Sequence, residues 1–235
     1  MDSGDWRRRL AALYRAELFD AESGDRLFNP YRDTDAHDAT RRSGEDAPAV
    51  RRANLLAALD AVADGASKCG LEAPDVLVVA EAPGPWGCHF SGIPFTNERQ
   101  LINPAFPVTG SPTSARFAET GTPHRETSGG IYWDAMLPHW GRFWTWNAVP
   151  LHPHKASDPL TIRTPGVREV RRWHGLLAAT LGVLSPAAVV AVGRKAEGAL
   201  QAVGADPVYV RHPSQGGATL FREGIAAFWN ARPLP

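Results

Sequence analysis

The stretch VLVVAEAPGPWGCHFSGIPF, residues 76–95, decides the expected fold. It begins with a continuous apolar run, Val76–Ala80, whose length and β-branched character are typical of a strand buried on both faces of a sheet. The run ends on one carboxylate, Glu81, and continues into a loop rich in proline and glycine. In open parallel sheets, ligands bind outside the carboxyl ends of the strands. The stretch therefore predicts a buried strand that leads into a binding site.

Strand and helix patterns alternate along the chain. Apolar periodicity predicts helices over residues 5–18, 49–67, 131–140, 168–184, 194–203 and 217–230. Short apolar runs predict further strands over residues 143–149, 187–192 and 207–211. Strands that alternate with helices favour a parallel sheet covered on both faces. We therefore expect an α/β fold, a three-layer α/β/α sandwich around a central, mostly parallel four-stranded sheet.

The length of 235 residues suits one large domain, and no internal repeat or boundary divides it. We expect a single domain over residues 1–235, with residues 1–70 as a helical extension packed on it. Residues 28–48 and 97–130 lack periodicity and are predicted loops. A loop as long as the second one is usually functional or disordered. It is open at this point whether it is a lid, a DNA-contacting loop or disorder.

Composition limits the class of protein and its partners. The formal net charge is +0, so no global field attracts the chain to nucleic acid. No apolar run reaches the ~20 residues of a membrane span, and the N-terminus lacks the apolar core of a signal peptide. We therefore expect a cytoplasmic protein, without a membrane partner. The two cysteines form no CxxC pair, and His152 and His154 lack neighbouring ligands, so we expect neither a metal nor a cofactor.

Polar residues stand at the end of each predicted strand. Because the strands are expected to run parallel, these residues would meet in one cleft. Taken singly, each has a structural explanation: a strand-end glutamate often caps a helix, a basic turn starts one, and His-Pro-Ser forms a turn. The polar residues are Glu81, Asn147, Arg194, His212 and Ser214, and Pro83 and Gly84 follow Glu81 at the same strand end.

Four segments resemble, in their order, the motifs of the uracil-DNA glycosylase superfamily. They are AEAPGPWGCHFSGIPF (80–95), WTWNAVPLHPHK (144–155), VVAVGRKAEGAL (189–200) and VRHPSQGG (210–217). The first is similar to the GEAPG…G-x-PF motif of the iron–sulfur branch, and the last is similar to the HPS loop of the superfamily. The resemblance covers residues 76–235, about two thirds of the chain.

The chain also departs from these motifs. The iron–sulfur branch holds its cluster with four cysteines, whereas this chain has two, so no cluster is expected. Ala82 stands where other branches carry an aspartate or asparagine. Pro85, Trp86 and Gly87 replace further acids of the iron–sulfur branch. The residue that activates water is therefore open, with Glu81 the first candidate and His89 the second.

The resemblance implies a monofunctional DNA glycosylase that hydrolyses the N-glycosidic bond of uracil after flipping the base out of the stack. Glu81 would stabilise the sugar cation or orient the attacking water, and His212 would donate to the departing base. Phe95 would stack on the base and Asn147 would read its edge. The wall of the pocket would be formed by Ala82, Pro83 and Gly84. The expected DNA contacts are Arg194, Ser214, Gln215 and Gly216, with Gln215 as a weak wedge.

Two alternatives remain open at this stage. The first is a glycosylase for deaminated purines or mismatched bases, for which Ala82 and residues 85–89 leave room. The second is a non-catalytic nucleic-acid-binding module on the same fold. The expected partner is DNA that contains uracil or another deaminated base, bound by a monomer.

Overall fold

The computed structural model describes residues 5–39, 46–156 and 158–233. The strands within these ranges are Leu27–Phe28 (β1), Val76–Ala80 (β2), Phe143–Asn147 (β3), His152–Pro153 (β4), Ala188–Val192 (β5) and Val208–Val210 (β6). One sheet has the order β3-β2-β5-β6, with all neighbours parallel. β1 and β4 form a separate antiparallel pair. The predicted parallel sheet of four strands is confirmed.

Helices fill most of the connections between the strands. The α-helices of the described residues are Asp5–Glu17 (α1), Ala47–Lys68 (α2), Cys88–Ser91 (α3), Glu98–Leu101 (α4), Ala115–Thr120 (α5), Thr127–Met136 (α6), Val167–Arg172 (α7), His174–Leu184 (α8), Arg194–Ala202 (α9) and Ala218–Asn230 (α10). A 3₁₀ turn at Leu137–His139 continues α6. The helix predicted over residues 168–184 is in fact two helices, α7 and α8, with Trp173 between them.

Helices cover both faces of the sheet. Successive side chains of β3 point to opposite faces, so they contact different helices. Trp144 and Trp146 share one face, where Tyr14 of α1 stacks on Trp146 with 4.2 Å between ring centroids. Thr145 lies on the other face, where its hydroxyl forms a 2.5 Å hydrogen bond with the hydroxyl of Tyr132 in α6. The sheet is therefore the middle layer of the predicted three-layer sandwich.

The N-terminal segment packs against the body of the molecule. α1 contacts α2 and α8, and its buried side chains recur at one-turn spacing. These side chains are Trp6, Leu10 and Tyr14, and Leu18, directly after the helix, continues the buried row. Farther along, the Tyr31 hydroxyl donates to the carbonyl of Gly92 at 2.7 Å. Residues 1–4 and 40–45 of the predicted extension lie outside the described residues.

The segment predicted as a loop over residues 97–130 contains two short helices, α4 and α5, and the first turn of α6. The buried carboxylate of Glu98 organises it. Glu98 accepts hydrogen bonds from the backbone N–H groups of Thr113, Ser114 and His124, at 2.8 to 3.0 Å. Helices of four and six residues are too short to show a period in the sequence, which is why the pattern indicated only a loop.

Candidate active site

A cleft of about 600 Å³ lies at the carboxyl ends of the parallel strands. Its walls come from the loop after β2, the last residue of β3, the start of α6, residues 162–164, and the segments that follow β5 and β6. The cleft brings together most of the residues that the sequence predicts. These are Glu81, Ala82, Pro83, Gly84, Phe95, Asn147, Arg194, His212, Ser214 and Gln215.

Glu81 directly follows β2 and is half-buried in the cleft. Burial raises the pKa of its carboxyl, and the positive charge of Lys195 opposes this shift. The backbone around it is fixed, because the N–H groups of Ala148 and Val149 donate to the carbonyls of Ala80 and Glu81 at 2.8 and 3.0 Å. The backbone of Glu81 is thus held beside the segment that follows β3.

The imidazole of His152 supports the loop that forms the pocket wall. Its Nδ1 lies 2.7 Å from the carbonyl oxygen of Pro83, and its Nε2 lies 2.9 Å from that of Pro159 and 3.0 Å from that of Thr161. Both ring nitrogens are therefore occupied by main-chain oxygens. The sequence suggests only a loop histidine here, whereas the structure gives His152 a positioning role for Pro83.

Asn147 is the last residue of β3 and is paired with Ala80 across the sheet. The residue is only 3% exposed, and within the described residues its side-chain amide has no hydrogen bond. The amide is not among the fully buried atoms that lack a partner there, so it is in contact with the open cleft. Because Asn147 lines the cleft, its amide is available to a ligand that enters there.

The ring of Phe95 is fixed from one side. It stacks on Tyr132 with 4.2 Å between centroids and an interplanar angle of 6°. Its backbone φ of 55° lies in the left-handed region, which is uncommon for a side chain of this size. The phenyl ring is 8% exposed, lines the cleft and lies 5.7 Å from the ring of His212. A planar ligand can therefore stack on a pre-positioned aromatic surface.

The loop after β6 determines the protonation of His212. The backbone N–H of Ser214 donates to Nδ1 at 3.2 Å, and the Ser214 hydroxyl lies 2.8 Å from the same nitrogen. Because a backbone N–H can only donate, Nδ1 is the acceptor and the ring proton resides on Nε2. Burial, with a smaller contribution from Arg211, lowers the pKa of His212 to about 4. At neutral pH the ring is therefore an uncharged hydrogen-bond donor.

Arginines surround the mouth of the cleft. Arg194 is exposed, lies over the ring of Tyr209 at 3.9 Å and pairs with Glu197 at 2.7 Å. Arg163 and Arg211 also line the cleft, and sequence reasoning missed both. Arg211 precedes the His-Pro-Ser tripeptide and was detectable from that position. Arg163 lies in a segment without periodicity, so no local signal indicated it.

Glu126 and Ser128 are further cleft residues that the sequence did not indicate. Glu126 immediately precedes α6 and Ser128 lies in its first turn, at the end of the long segment that the pattern predicted as a loop. Burial raises the pKa of Glu126 to about 7. The cleft therefore holds two carboxyl groups, Glu81 and Glu126.

His89 is not placed to activate a water in the cleft, which corrects the alternative considered above. It is 0% exposed and absent from the cleft walls, and its ring stacks on Phe28 at 4.1 Å. Its Nε2 lies 3.1 Å from Oδ2 of Asp35, and burial lowers its pKa to about 4 against the opposing effect of Asp35. The short helix α3 turns the side chain away from the cleft.

Gly216, a predicted DNA contact, also lies outside the walls of the cleft, at an exposed turn with a φ of 75°.

The cysteines do not fit an iron–sulfur cluster. The sequence has two, and both are free thiols: Cys69 follows α2, and Cys88 is buried at the start of α3. A cluster of this kind requires four ligands.

Among the described helices, none combines the length and apolar character that crossing a bilayer would require.

The fold and the cleft define an α/β protein with an open cleft at the carboxyl ends of its parallel strands. The family model of the uracil DNA glycosylase superfamily matches residues 67–231, and the chain belongs to this superfamily. The crystal structure of wild-type Pedobacter heparinus SMUG2 has a similar fold, with a TM-score of 0.61 at 15% sequence identity. That match covers 94% of this chain and 97% of the other. No curated protein matches the sequence significantly.

Membership of the superfamily establishes the class of activity. The protein is a DNA glycosylase, a hydrolase that acts on N-glycosyl bonds, and its substrate is DNA.

Proposed function

We propose that the protein excises uracil from DNA in base excision repair. The observation that carries the proposal is the side-chain amide of Asn147, which has no protein partner in the described residues and lines the same cleft as Phe95 and His212. A base inside a duplex is inaccessible to a hydrolase, so it must first flip into this cleft, at a cost of a few kcal/mol. Stacking on Phe95 offsets part of that cost.

Asn147 supplies the discrimination between uracil and cytosine. Its amide oxygen accepts from N3–H of uracil, and its amide nitrogen donates to O4. Cytosine presents a donor and an acceptor in the opposite order, which leaves the buried amide with mismatched partners. A site that hydrogen-bonds one edge rejects the other strongly for this reason.

His212 stabilises the leaving base. When the N-glycosidic bond breaks, its electron pair moves into the base and negative charge develops on O2. The proton on Nε2 allows His212 to donate to that oxygen without first being charged. A pre-positioned donor of this kind contributes about 3 kcal/mol to the transition state.

Glu81 acts on the sugar side of the bond. The sugar develops positive charge at C1′ as the base departs, and a carboxylate next to it stabilises that cation electrostatically. The water oxygen then bonds to C1′ and loses a proton to the carboxylate of Glu81. Deprotonated Glu81 is required for both roles; burial raises the pKa of Glu81 and disfavours that form, whereas the positive charge of Lys195 favours it.

The rim of the cleft would hold the DNA. Arg194, Arg211 and Ser214 are suited to phosphate oxygens, and Gly216 gives the backbone close access at its exposed turn. Gln215, at a φ of 51°, points from the same loop and would enter the space that the flipped base vacates. Its polarity makes it a weak wedge. We further propose that residues 1–235 act as one monomeric domain.

The test uses labelled single- and double-stranded oligonucleotides with one uracil, incubated with the protein in EDTA and then cleaved at abasic sites with alkali. We expect strand breaks from the wild type, and losses of about 100-fold in Asn147→Ala and His212→Ala. His174→Ala, a histidine outside the cleft, is the matched control and should retain the wild-type rate.

Matched oligonucleotides with hypoxanthine, xanthine or a mismatched thymine test the base assignment. Excision of one of these, without excision of uracil, would contradict the uracil specificity and leave the glycosylase activity in place. Binding of every oligonucleotide with release of no base would favour a non-catalytic binding role.

A further inference from the structure

Glu126 occupies the position before α6 where a side chain ordinarily caps the helix. Capping residues accept a hydrogen bond from the backbone N–H two or three residues ahead. Glu126 forms no such bond, although its backbone φ of −121° and ψ of 121° are those of a cap residue. The carboxyl group instead extends to the loop that follows β2. The protein thus gives up a local stabilising contact at this residue.

Two glycines make room for this carboxyl group. A β-carbon on Gly84 would lie 1.9 Å from Oε1 of Glu126, and one on Gly87 would lie 2.0 Å from Oε2. Any larger residue at either position would displace the side chain. Gly84 belongs to the pocket wall, so the carboxyl group of Glu126 lies against the same wall that borders the base.

The carboxyl group has no protein partner in the part of the chain that the structure describes. The nearby Asn97 side chain caps α4 through its oxygen and donates from its nitrogen to the backbone carbonyl of Glu126 at 3.5 Å, not to the carboxyl group. A half-buried polar group without a partner normally indicates water or a ligand. Because Glu126 lines the cleft, the ligand that enters the cleft can be that partner.

We propose that Glu126 is a further catalytic residue, which in its neutral form donates a hydrogen bond from its carboxyl O–H to a carbonyl oxygen of the leaving base. The inference rests on the proposed function. Each base carbonyl has two lone pairs, and the proposed contacts of Asn147 and His212 fill one each. Glu126 supplies a third donor, so that more of the charge that develops on the base is stabilised.

The neutral form is the one that this role requires. A carboxylate beside a base that becomes negative would repel it, whereas a carboxylic acid can donate. Burial raises the pKa of Glu126 to about 7 and is the cause of that shift. The titratable groups on the surrounding elements are Glu81, Cys88, His89, His124, Arg125 and His212. Three arginines, Arg163, Arg194 and Arg211, lie at the mouth of the cleft.

The test compares single-turnover excision by wild type, Glu126→Gln and Glu126→Ala between pH 5 and pH 9. Two pH units above its pKa a group is about 1% protonated, so the wild-type rate should fall steeply above pH 7. Glutamine donates from its amide at every pH. The ratio of the rate at pH 9 to that at pH 6 should therefore be about tenfold or more higher in Glu126→Gln than in wild type. Glu126→Ala, which lacks a donor, should lose about tenfold or more at pH 6.

Glu119→Gln, an exposed carboxylate in α5 outside the cleft, is the matched control and should reproduce the wild-type pH profile. An inactive Glu126→Gln with a wild-type circular dichroism spectrum would overturn the proposal, because it would show that the ionised carboxylate is required. Full activity of Glu126→Ala at pH 6 would overturn it too, since Glu126 would then not contact the base.

Binding separates this inference from the proposed function. If the wild type releases no base, the uracil assignment fails, and the affinity for uracil-containing DNA still tests Glu126. We expect the affinity of the wild type for uracil-containing DNA to fall between pH 6 and pH 9 by a larger factor than that of Glu126→Gln. Equal pH dependence in the two proteins, or a carboxyl ¹³C resonance of Glu126 that titrates near pH 4.5, the ordinary value for glutamate, would refute a neutral donor.

Discussion

Arg51 is expected to hold the N-terminal segment on the body of the protein, and its replacement by methionine tests this. The guanidinium is 0% exposed and donates to the Asp38 carboxylate, from Nη1 to Oδ1 at 2.6 Å and from Nη2 to Oδ2 at 3.2 Å. It also donates to the carbonyls of Asp33, at 2.7 Å, and Pro30. One side chain of α2 therefore fixes a segment that has little regular structure of its own.

The magnitude follows from what the substitution leaves behind. Asp38 is 5% exposed, so Arg51→Met strands a buried carboxylate and two carbonyl groups without their donor. Removal of one partner of a buried ion pair costs about 3–5 kcal/mol. Arg7→Met is the control, because Arg7 pairs with Asp60 at 2.8 Å and both side chains are exposed, by 38% and 62%. That change should cost only about 1 kcal/mol.

Urea denaturation followed by tryptophan fluorescence measures both free energies of unfolding. The double variant Arg51→Met/Asp38→Asn has no stranded charge. Its loss of free energy of unfolding should therefore be smaller than the sum of the losses in the two single variants. Equal losses in Arg51→Met and Arg7→Met would refute the reasoning, because they would show that the buried ion pair contributes no more than an exposed one.

Three further predictions concern the cleft. Gly84→Ala should lower the free energy of unfolding by less than about 1 kcal/mol, since only the flexible end of Glu126 is displaced. It should nevertheless lower the excision rate, and in a Glu126→Ala background it should have no further effect on that rate. The carboxyl of Glu126 ionises near pH 4.5 in the unfolded chain and near pH 7 in the folded protein, so the wild type loses free energy of unfolding between these pH values. Glu126→Gln does not ionise and should therefore become more stable than the wild type over this range. At 1.36 kcal/mol per pKa unit, the difference in free energy of unfolding, measured by urea denaturation, is at most about 3 kcal/mol, and none is expected below pH 4. His152→Ala should lower the rate by about tenfold without a change in DNA affinity, because it releases the carbonyl of Pro83; an unchanged rate would contradict its positioning role.

The sheet and its functional edge could be predicted from the sequence because their signals are local. Val76–Ala80 is continuously apolar and is buried throughout, so its bounds were predicted without error. Glu81 directly follows β2, Asn147 ends β3 and His212 lies two residues beyond β6, and parallel topology alone brings such residues together. The prediction needed no knowledge of contacts between distant segments.

The remaining features depend on contacts that a local pattern does not contain. Glu98 and Arg51 are buried charges, and charged residues in a sequence indicate surface. Each is stabilised by main-chain groups that only the folded chain brings near. His89 shows the converse error: it is close to Glu81 in sequence, but α3 directs it toward Asp35, behind the pocket wall.

The cleft therefore combines two sources of chemistry. Glu81, Asn147 and His212 are held by the sheet, whose geometry depends on the central core, whereas Glu126 is held by a connection anchored through the buried carboxylate of Glu98. Of the groups held by the sheet, Glu81 and His212 act on the bond that breaks, so their loss should lower the excision of every base. Glu126 contacts only the base in our proposal, so changes in that connection should alter pH dependence and base choice while bond cleavage continues. Comparing substrate ranges of Glu126 variants with those of Glu81 variants would distinguish these two contributions.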